Sequence, residues 1–267
     1  VLTCHAREQT VRDWIQKFII MEDVSVSGLT SDYALFSLFG PGLLDLLSIL
    51  GVILQHSKRL AQMGESRIAG VEVLLGEAEP ICGGGVDILV PMTQAEDMWK
   101  KLLDFSPSLG LRPCGAESLE IHRVEHGLPF YGKELTQNVN PLEAGLQKHV
   151  SFTKGCYIGQ EVIARIRTYG QVAKALRGLR LADDLKTLPR KGDKLWREGK
   201  EVVFITSVLD SPAWQAKIAL GYVRREANQT GAELTLRTPA GESSVRILDL
   251  PFPPSVPKRE GDKSRIE

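Results

Sequence analysis

Eight residues read Lys154-Gly155-Cys156-Tyr157-Ile158-Gly159-Gln160-Glu161 and lead into an apolar repeat over residues 162–166. The repeat predicts a helix, which places Cys156 near a helix N-terminus with Lys154 beside it. A helix N-terminus and a neighbouring ammonium group both favour the thiolate, the reactive form of cysteine. We interpret Cys156 as a candidate functional thiolate. The competing interpretation is a small buried hydrophobic residue, which is common for an isolated cysteine.

The same run opens a basic segment of the chain. Between residues 154 and 180 a single acidic residue, Glu161, accompanies six basic ones: Lys154, Arg165, Arg167, Lys174, Arg177 and Arg180. The excess is local, because the whole chain has 33 basic and 33 acidic side chains. Two interpretations stay open: a solvated helix face with a linker, or a site for carboxylates, phosphates or a polynucleotide.

A small barrel is predicted downstream of residue 172. Five short alternating runs lie between turn sequences rich in Gly, Asp and Pro, and they cover residues 176–181, 201–208, 217–223, 234–238 and 244–248. Strands at this spacing are typical of an antiparallel β-barrel, which we assign to residues 173–253. Residues 254–267 follow as a charged tail that we expect to be disordered or loosely attached.

Residues 1–172 are predicted to form a first domain of mixed helices and strands. The predicted elements are a helix at 7–20, a strand at 33–39, a helix to about residue 50, strands at 68–75 and 86–90, a helix with a Thr93–Glu96 capping box, an apolar strand at 109–112 and a helix at 116–124. From residue 33 the order is strand, helix, strand, strand, helix, strand. This order predicts an α+β fold with a ferredoxin-like, split βαβ portion.

The composition excludes several classes of protein. The four cysteines are far apart in the sequence and contain no C-x-x-C pair, which argues against a disulfide framework and a zinc ribbon. No apolar stretch approaches the roughly 20 residues that a membrane-spanning helix needs. No signal peptide precedes the first helix. We therefore expect a protein of the cytoplasm, or of the mitochondrial matrix in a eukaryote, without a membrane partner.

The 154–161 run resembles the Lys-Gly-Cys-Tyr-x-Gly-Gln-Glu signature of the YgfZ family, relatives of the glycine-cleavage T-protein GcvT. Further matches cover most of the chain: Leu38-Phe39-Gly40-Pro41, Arg123-x-Glu125-x-Gly127-x-Pro129-x-Tyr131-Gly132, Asn140-Pro141-Leu142-Glu143-Ala144-Gly145-Leu146, Gly192-Asp193, Thr206-Ser207, Ser211-Pro212, Ile218-Ala219-Leu220-Gly221-Tyr222-Val223 and Leu250-Pro251-Phe252. The resemblance implies a GcvT-like body followed by a C-terminal barrel.

The resemblance also implies a cofactor, tetrahydrofolate or a one-carbon derivative, held in a central channel between the domains. Glu143 would supply the carboxylate that accepts hydrogen bonds from the pterin amino and ring N–H groups. Tyr131 would offer a ring for stacking. Arg123 and Arg165 would bind the anionic tail of the folate.

Function is expected in the 154–161 run. The YgfZ resemblance implies a folate-binding protein that assists assembly or repair of iron–sulfur proteins, with Cys156 and Lys154 as the functional pair. Tyr157 and Gln160 are candidates for cofactor contacts, and no resident metal is expected. Iron–sulfur clients or scaffold proteins would be the partners.

Two alternatives stay open beside the iron–sulfur role. One is a tetrahydrofolate-dependent aminomethyltransferase of the T-protein type. In the T-protein the catalytic aspartate lies in a strand-rich segment that precedes the helix which opens this sequence. The other is a binding module without catalysis, whose basic segment docks acidic protein or, less strongly, RNA.

Two short motifs suggest other chemistry. His122-Arg123-Val124-Glu125-His126 matches the inverted zinc-protease pattern H-x-x-E-H, but Gly127 and Pro129 follow at once and no third ligand is identifiable. Cys82-Gly83-Gly84-Gly85 resembles a phosphate loop without the Lys-Ser/Thr that such loops require, so a hairpin turn is favoured.

Overall fold

The computed structural model describes residues 7–52, 63–78, 85–104, 106–239 and 241–252. The chain divides into two compact units, Val1–Cys114 and Gly115–Glu267. Five features of the sequence lie outside the described residues: Cys4, Cys82, the Lys58-Arg59 pair, the Gly83-Gly84 part of the predicted turn, and the 254–267 tail. Within the described ranges no helix is long and apolar enough to cross a bilayer.

The Val1–Cys114 unit is built on one antiparallel sheet. Its elements are α1 (Glu8–Gln16), β1 (Tyr33–Phe39), α2 (Leu43–Ile49), β2 (Gly64–Ile68), β3 (Val71–Ala78), β4 (Gly85–Pro91), α3 (Ala95–Asp104) and α4 (Ser106–Leu109). The strand order is β1-β4-β3-β2, and every neighbouring pair is antiparallel. β4 thus lies between β1 and β3, and α2 connects the two edge strands, β1 and β2. The unit has the mixed helices and strands that the sequence predicts.

The core of this unit lies on one face of the sheet. Alternate residues of β4, Val86, Ile88 and Val90, are buried, because successive side chains of a strand point to opposite faces. Leu46 and Leu47 of α2 pack in the same hydrophobic cluster. One face of β4 and one side of α2 therefore contribute to the same core, whereas α1 has no buried residue.

Two predicted strands of this unit differ from the structure. The predicted strand at 68–75 contains the last residue of β2 and most of β3, because Ala69 and Gly70 both adopt positive φ angles (49° and 84°) and reverse the chain between them. Residues 110–112 are not a strand, since Leu109 ends α4 and Gly110 follows with φ 66°.

The ends of two helices also differ from the prediction. The first helix stops at Gln16 rather than residue 20. The helix predicted after Thr93 is present as α3. In the predicted capping box Glu96 would bond back toward Thr93, but its carboxylate instead accepts a hydrogen bond from Lys100, one turn further along the helix (2.7 Å).

The Gly115–Glu267 unit is a closed six-stranded barrel with two helices. Its elements are α5 (Ala116–Glu125), α6 (Gln160–Tyr169), β5 (Lys174–Leu181), β6 (Lys194–Arg197), β7 (Lys200–Ser211), β8 (Ala216–Arg224), β9 (Glu233–Thr238) and β10 (Gly241–Leu248). The barrel order is β10-β5-β8-β7-β6-β9, with all neighbours antiparallel. The predicted barrel is confirmed. The sequence missed β6, which has only four residues.

The barrel has a core inside and a second hydrophobic layer outside. Leu179, Leu195 and Ile205 fill the interior. Val124 of α5 and Ala144 belong to a separate cluster that covers the outside of β8. As a result nearly every residue of β8 is buried, although a barrel strand normally has one face in water.

The residues between 115 and 172 pack with the barrel rather than with the first sheet. They belong to the compact unit that begins at Gly115. The change of sequence character near residue 172 marks the start of β5 at Lys174. The predicted domain limits of 1–172, 173–253 and 254–267 therefore stay predictions. The two compact units of the structure meet between Cys114 and Gly115 in the sequence.

Candidate functional site

Arg123, near the end of α5, is the centre of a buried polar network. Its guanidinium donates five hydrogen bonds: two to Glu120 (2.5 and 2.7 Å), one to the Leu128 carbonyl (3.1 Å), one to Glu134 (3.0 Å) and one to Ser207 (2.6 Å). A guanidinium has five N–H groups, so every donor is used. A folate carboxylate would have to displace an acceptor that Arg123 already has.

Glu134 is the fully buried partner in this network. Its side chain is 0% exposed and accepts hydrogen bonds from Arg123, from the Phe130 N–H (3.0 Å) and from Ser207 Oγ (2.6 Å). Burial of a charge is costly unless the charge is paired and hydrogen-bonded, and both conditions hold here. Two separate stretches of the family resemblance, around Arg123 and around Ser207, therefore meet as structural partners.

Glu125 forms a second link between α5 and the barrel. Its carboxylate accepts hydrogen bonds from Ser211 Oγ and from the Ala213 N–H. The rings of His122 and His126 stack with centroids 3.8 Å apart, and the described residues contain no group of three metal-ligating side chains. The general base of the zinc-protease alternative is thus already a structural acceptor, and the geometry does not support that alternative.

Glu120 gives the network a dependence on pH. Burial opposes ionisation of Glu120, but hydrogen bonds from Arg123 and Lys133 and their positive charges outweigh it, and the pKa of Glu120 lies below its ordinary value. A carboxyl group with a lowered folded-state pKa stabilises the fold above the unfolded-state pKa, and this contribution is lost as the pH falls through the folded-state value.

We therefore expect acid to destabilise the wild type more than a Glu120→Gln variant. Glu120→Gln should unfold at a lower temperature than wild type at pH 7, and the difference should shrink as the pH is lowered below 4. Thermal unfolding followed by circular dichroism at several pH values measures both curves. Parallel curves at every pH would contradict the expectation.

Glu143 lies where the loop before α6 meets the barrel. Its carboxylate is 11% exposed, and Oε2 accepts the Asn140 N–H (3.1 Å) and lies 3.9 Å from Lys174 Nζ. Its carbonyl accepts the Leu176 N–H (2.8 Å) from β5. Among the described residues no hydrogen bond reaches Oε1. One carboxylate oxygen is therefore held by the protein, and the other accepts no hydrogen bond from the described residues.

A cavity of about 440 Å³ adjoins this position on the same unit. Lys174, Phe204 and Tyr222 are among the residues that line it. Burial, with added repulsion from Glu134 and Glu143, raises the pKa of Tyr222. Its hydroxyl donates to the Glu134 carbonyl (3.2 Å). Tyr222 therefore remains a neutral phenol at physiological pH.

Residues 154–159 form a largely exposed loop in front of α6, and the last two residues of the run, Gln160 and Glu161, begin the helix. Cys156 is exposed and carries a free thiol, as does Cys114. The helix begins at Gln160 after Gly159, whose φ of 86° suits glycine. Cys156 is thus exposed rather than a buried hydrophobic residue, and it precedes the first helical residue by four positions.

Local contacts hold the other members of this run. Lys154 Nζ lies 5.3 Å from the centroid of the Tyr157 ring, a cation–π distance. Gln160 Oε1 accepts the Tyr157 N–H (3.2 Å). Among the described residues no hydrogen bond or ion pair joins this run to Glu143, so the two are treated as separate candidate regions.

Half of the basic segment is neutralised within the unit. Lys174 pairs with Glu143, Arg177 with Asp249 and Arg180 with Asp183. Arg165 is exposed on α6, and the described part of the chain provides no ion pair for it. Pairing of half of the cations within the unit weakens the interpretation of the segment as a polynucleotide surface.

Tyr131, the candidate for ring stacking, lies outside this segment, and its side chain is 53% exposed.

Sequence reasoning missed Glu134 and Lys174 as site residues. Glu134 lies only two positions after the Arg123–Gly132 match. A charged residue next to a lysine and a glycine is normally expected at the surface, so the local sequence does not predict that Glu134 is fully buried. Lys174 was counted only as one charge of the basic segment. Both roles depend on contacts with residues distant in sequence, at Ser207 and Glu143.

Comparison with known proteins matches both parts of the chain. Residues 1–154 match the GCVT N-terminal domain, and residues 174–253 match the glycine cleavage T-protein C-terminal barrel domain. In a solved structure, the glycine cleavage system aminomethyltransferase T from Bartonella henselae, the same fold is found with a TM-score of 0.78 and 20% identity, over 92% of this chain and 66% of that one.

Several relatives by sequence are aminomethyltransferases. The one from Moorella thermoacetica is 30% identical over 239 residues, 90% of this chain and 64% of its own length. That from Halalkalibacterium halodurans is 28% identical, over 90% of this chain and 65% of its own length. A putative chloroplastic transferase of Arabidopsis thaliana is 29% identical, over 93% of this chain and 56% of its own length.

The chain spans a little under two thirds of the length of these relatives. The matches do not select the YgfZ branch within the family. They do confirm the predicted GcvT-like α+β body with its C-terminal barrel. The chain therefore belongs to the GcvT family, with a GCVT N-terminal region followed by the T-protein type of C-terminal barrel.

Proposed function

We propose that this protein binds tetrahydrofolate, or a one-carbon derivative of it, and acts in aminomethyl transfer of the T-protein type. The observation that carries the proposal is the environment of Glu143, a nearly buried carboxylate with one oxygen held by the protein and the other without a hydrogen bond from the described residues. Aminomethyltransferases of the GcvT family use tetrahydrofolate. The relatives named above support the transferase reaction over the iron–sulfur role.

The chemistry of the pterin suits this carboxylate. The ring presents an amino group and a ring N–H on one edge, and an ionised carboxylate is a strong acceptor for such donors. Bound tetrahydrofolate supplies the nitrogen that takes up the transferred one-carbon unit. Glu143 would orient the ring, and its near-complete burial would limit competition from water for the same oxygen.

Other residues are proposed around this anchor with less defined roles. Tyr131 is exposed enough to stack on a flat ring, and Arg165 would meet an anionic tail. Tyr157 and Gln160 are further candidates for cofactor contacts. Arg123 is left out of the proposed site because all its donors are engaged.

Calorimetry with tetrahydrofolate on the full-length protein tests the proposal. Binding with a dissociation constant in the micromolar range is expected, followed by tetrahydrofolate-dependent release of ammonia from an aminomethyl donor. Absence of binding would overturn the proposal. Binding without transfer would overturn its catalytic part.

The exposed thiol of Cys156 supports a second candidate function, assistance to iron–sulfur proteins. An accessible cysteine beside Lys154 could act on a cluster of a client protein. Free thiols at Cys114 and Cys156 also fit a reducing compartment such as the cytoplasm or the mitochondrial matrix.

Cys156→Ala separates the two candidates. Because the side chain is exposed, the variant should unfold within about 2 °C of the wild type and bind tetrahydrofolate equally well. If the second candidate holds, it fails to restore iron–sulfur enzyme activity in cells that lack the protein, whereas Cys114→Ala, the other exposed thiol, restores it. Restoration by both variants would count against the role of Cys156.

A further inference from the structure

Lys174 and Leu176, near the start of β5, both contact the loop that contains Glu143. Residues two apart on a strand point to the same side. The Leu176 N–H holds the Glu143 carbonyl (2.8 Å), and Lys174 Nζ lies 3.9 Å from Glu143 Oε2. Lys174 Nζ also donates to the Asn138 carbonyl (3.1 Å), five residues before Glu143. β5 therefore fixes both the backbone and the side chain of this glutamate.

The surroundings confine the ammonium group of Lys174. It lies 5.3 Å from the centroid of the Phe204 ring and 5.2 Å from that of Tyr222. These two rings stack on each other with centroids 5.3 Å apart. The Lys174 side chain is only 23% exposed. An ammonium group that lies near two aromatic rings and donates to a carbonyl has few alternative positions, so its charge stays close to Glu143.

The position of the contact matters for a ligand. Lys174 and the Asn140 N–H both meet Oε2, which leaves Oε1 as the accepting atom. Lys174 also lines the 440 Å³ cavity together with Phe204 and Tyr222. The lysine thus stands between this cavity and the carboxylate.

We propose that Lys174 is a positioning residue for Glu143, which holds the carboxylate in the orientation that presents Oε1 to the donor edge of the pterin. This inference rests on the proposed folate site. It adds a residue that acts through Glu143 and does not itself bind the ring.

The experiment measures tetrahydrofolate affinity of the full-length protein by calorimetry. Lys174→Met should weaken binding about 10-fold, the size expected from losing the orientation of one charged hydrogen-bond acceptor. Lys174→Arg, which keeps the charge, should recover to within about 3-fold of wild type. Lys174→Gln can still donate to the Asn138 carbonyl but lacks the charge, and it should show the same loss as Lys174→Met.

Lys217→Met is the matched control. Lys217 is another barrel lysine that donates to loop carbonyls, those of Asp183 (2.7 Å) and Leu185 (2.8 Å), and its partners lie far along the chain from Glu143. Its variant should bind tetrahydrofolate as the wild type does. Thermal unfolding of each variant identifies any that does not fold, in which case Lys174→Gln carries the test.

A double-mutant cycle with Glu143→Gln decides whether Lys174 acts through the glutamate. In that background Lys174→Met should change the affinity less than about 2-fold, because coupled residues are not additive. A full 10-fold loss there would overturn the positioning role and indicate direct contact with the ligand. Wild-type affinity in both Lys174→Met and Lys174→Gln would overturn the inference alone. Absence of binding by the wild type would overturn the proposed function, and the inference with it.

Discussion

Arg123→Ala is expected to destabilise the Gly115–Glu267 unit by about 3–5 kcal/mol, the cost of leaving a buried charge without its partner. Glu134 would lose its only cationic partner among the described residues while remaining 0% exposed. Ser207 and the Leu128 carbonyl would also lose a donor. The effect should appear in stability, because the guanidinium is occupied by protein acceptors rather than open to a ligand.

Urea unfolding followed by circular dichroism measures this change as a shift of the midpoint. Arg246→Ala is the control, since Arg246 pairs with Glu233 on the barrel surface with both side chains more than half exposed. That variant should lose less than about 1 kcal/mol.

A second variant separates loss of packing from loss of charge pairing. Arg123→Leu combined with Glu134→Leu should recover part of the stability that Arg123→Ala loses, because the uncompensated buried carboxylate is gone. Equal losses for Arg123→Ala and Arg246→Ala would show that the network contributes little.

Glu143→Ala is expected to weaken tetrahydrofolate binding about 100-fold or more, since two hydrogen bonds to a charged acceptor contribute about 1.5 kcal/mol each at the lower limit. The Glu143 carboxylate is the acceptor proposed for the pterin edge, and removing it leaves the ligand donors unpaired in a nearly dry site. Glu143→Gln should lose less, because its amide oxygen can still accept hydrogen bonds from the pterin edge, although the negative charge that strengthens them is gone.

Calorimetry or fluorescence titration of the full-length variants measures the affinities. Glu161→Ala is the control, as Glu161 is an exposed carboxylate in the first turn of α6 and within the 154–161 run. It should bind tetrahydrofolate within about 2-fold of the wild type. If Glu143→Ala and Glu161→Ala bind equally well, the pterin lies elsewhere.

Elements with a strong local pattern were predictable from the sequence. β1 was predicted with its observed limits, and the five longer barrel strands were all identified. In each case alternating apolar residues end at a turn sequence, so the signal is contained within a few neighbouring residues. The family resemblance added the overall GcvT architecture, which the comparisons confirm.

The errors occur where short local signals compete. The chain reverses at Ala69 and Gly70 inside an apolar run, and one non-glycine residue there adopts a positive φ angle that its type rarely adopts. β6 has only four residues and is stabilised by pairing with β7 and β9. The sequence of β6 alone does not predict these pairings. Residues 109–112 look apolar, but Gly110 and Pro113 interrupt them.

The candidate site residues were likewise predictable in part. Glu143 was identified by its motif, and the structure shows why it suits a ligand, since one of its oxygens is held by the protein and the other accepts no hydrogen bond from the described residues. Arg123 belongs to an equally clear motif, but its donors are used by Glu120, Leu128, Glu134 and Ser207. A motif conveys which residues matter and does not say whether their partner is a ligand or the protein.

The run from Lys154 to Glu161 illustrates what sequence alone decides. Its residue types predicted a loop leading into a helix, a family and a candidate thiol, because glycine geometry and apolar spacing act over a few neighbouring residues. Whether Cys156 is exposed, and whether Lys154 contacts it or the Tyr157 ring, depended on the folded chain. Hydrogen bonds and ion pairs connect residues far apart in sequence, such as Arg123 with Ser207 and Glu143 with Lys174. Only the tertiary structure determines these partners, because the fold of the barrel unit brings them together.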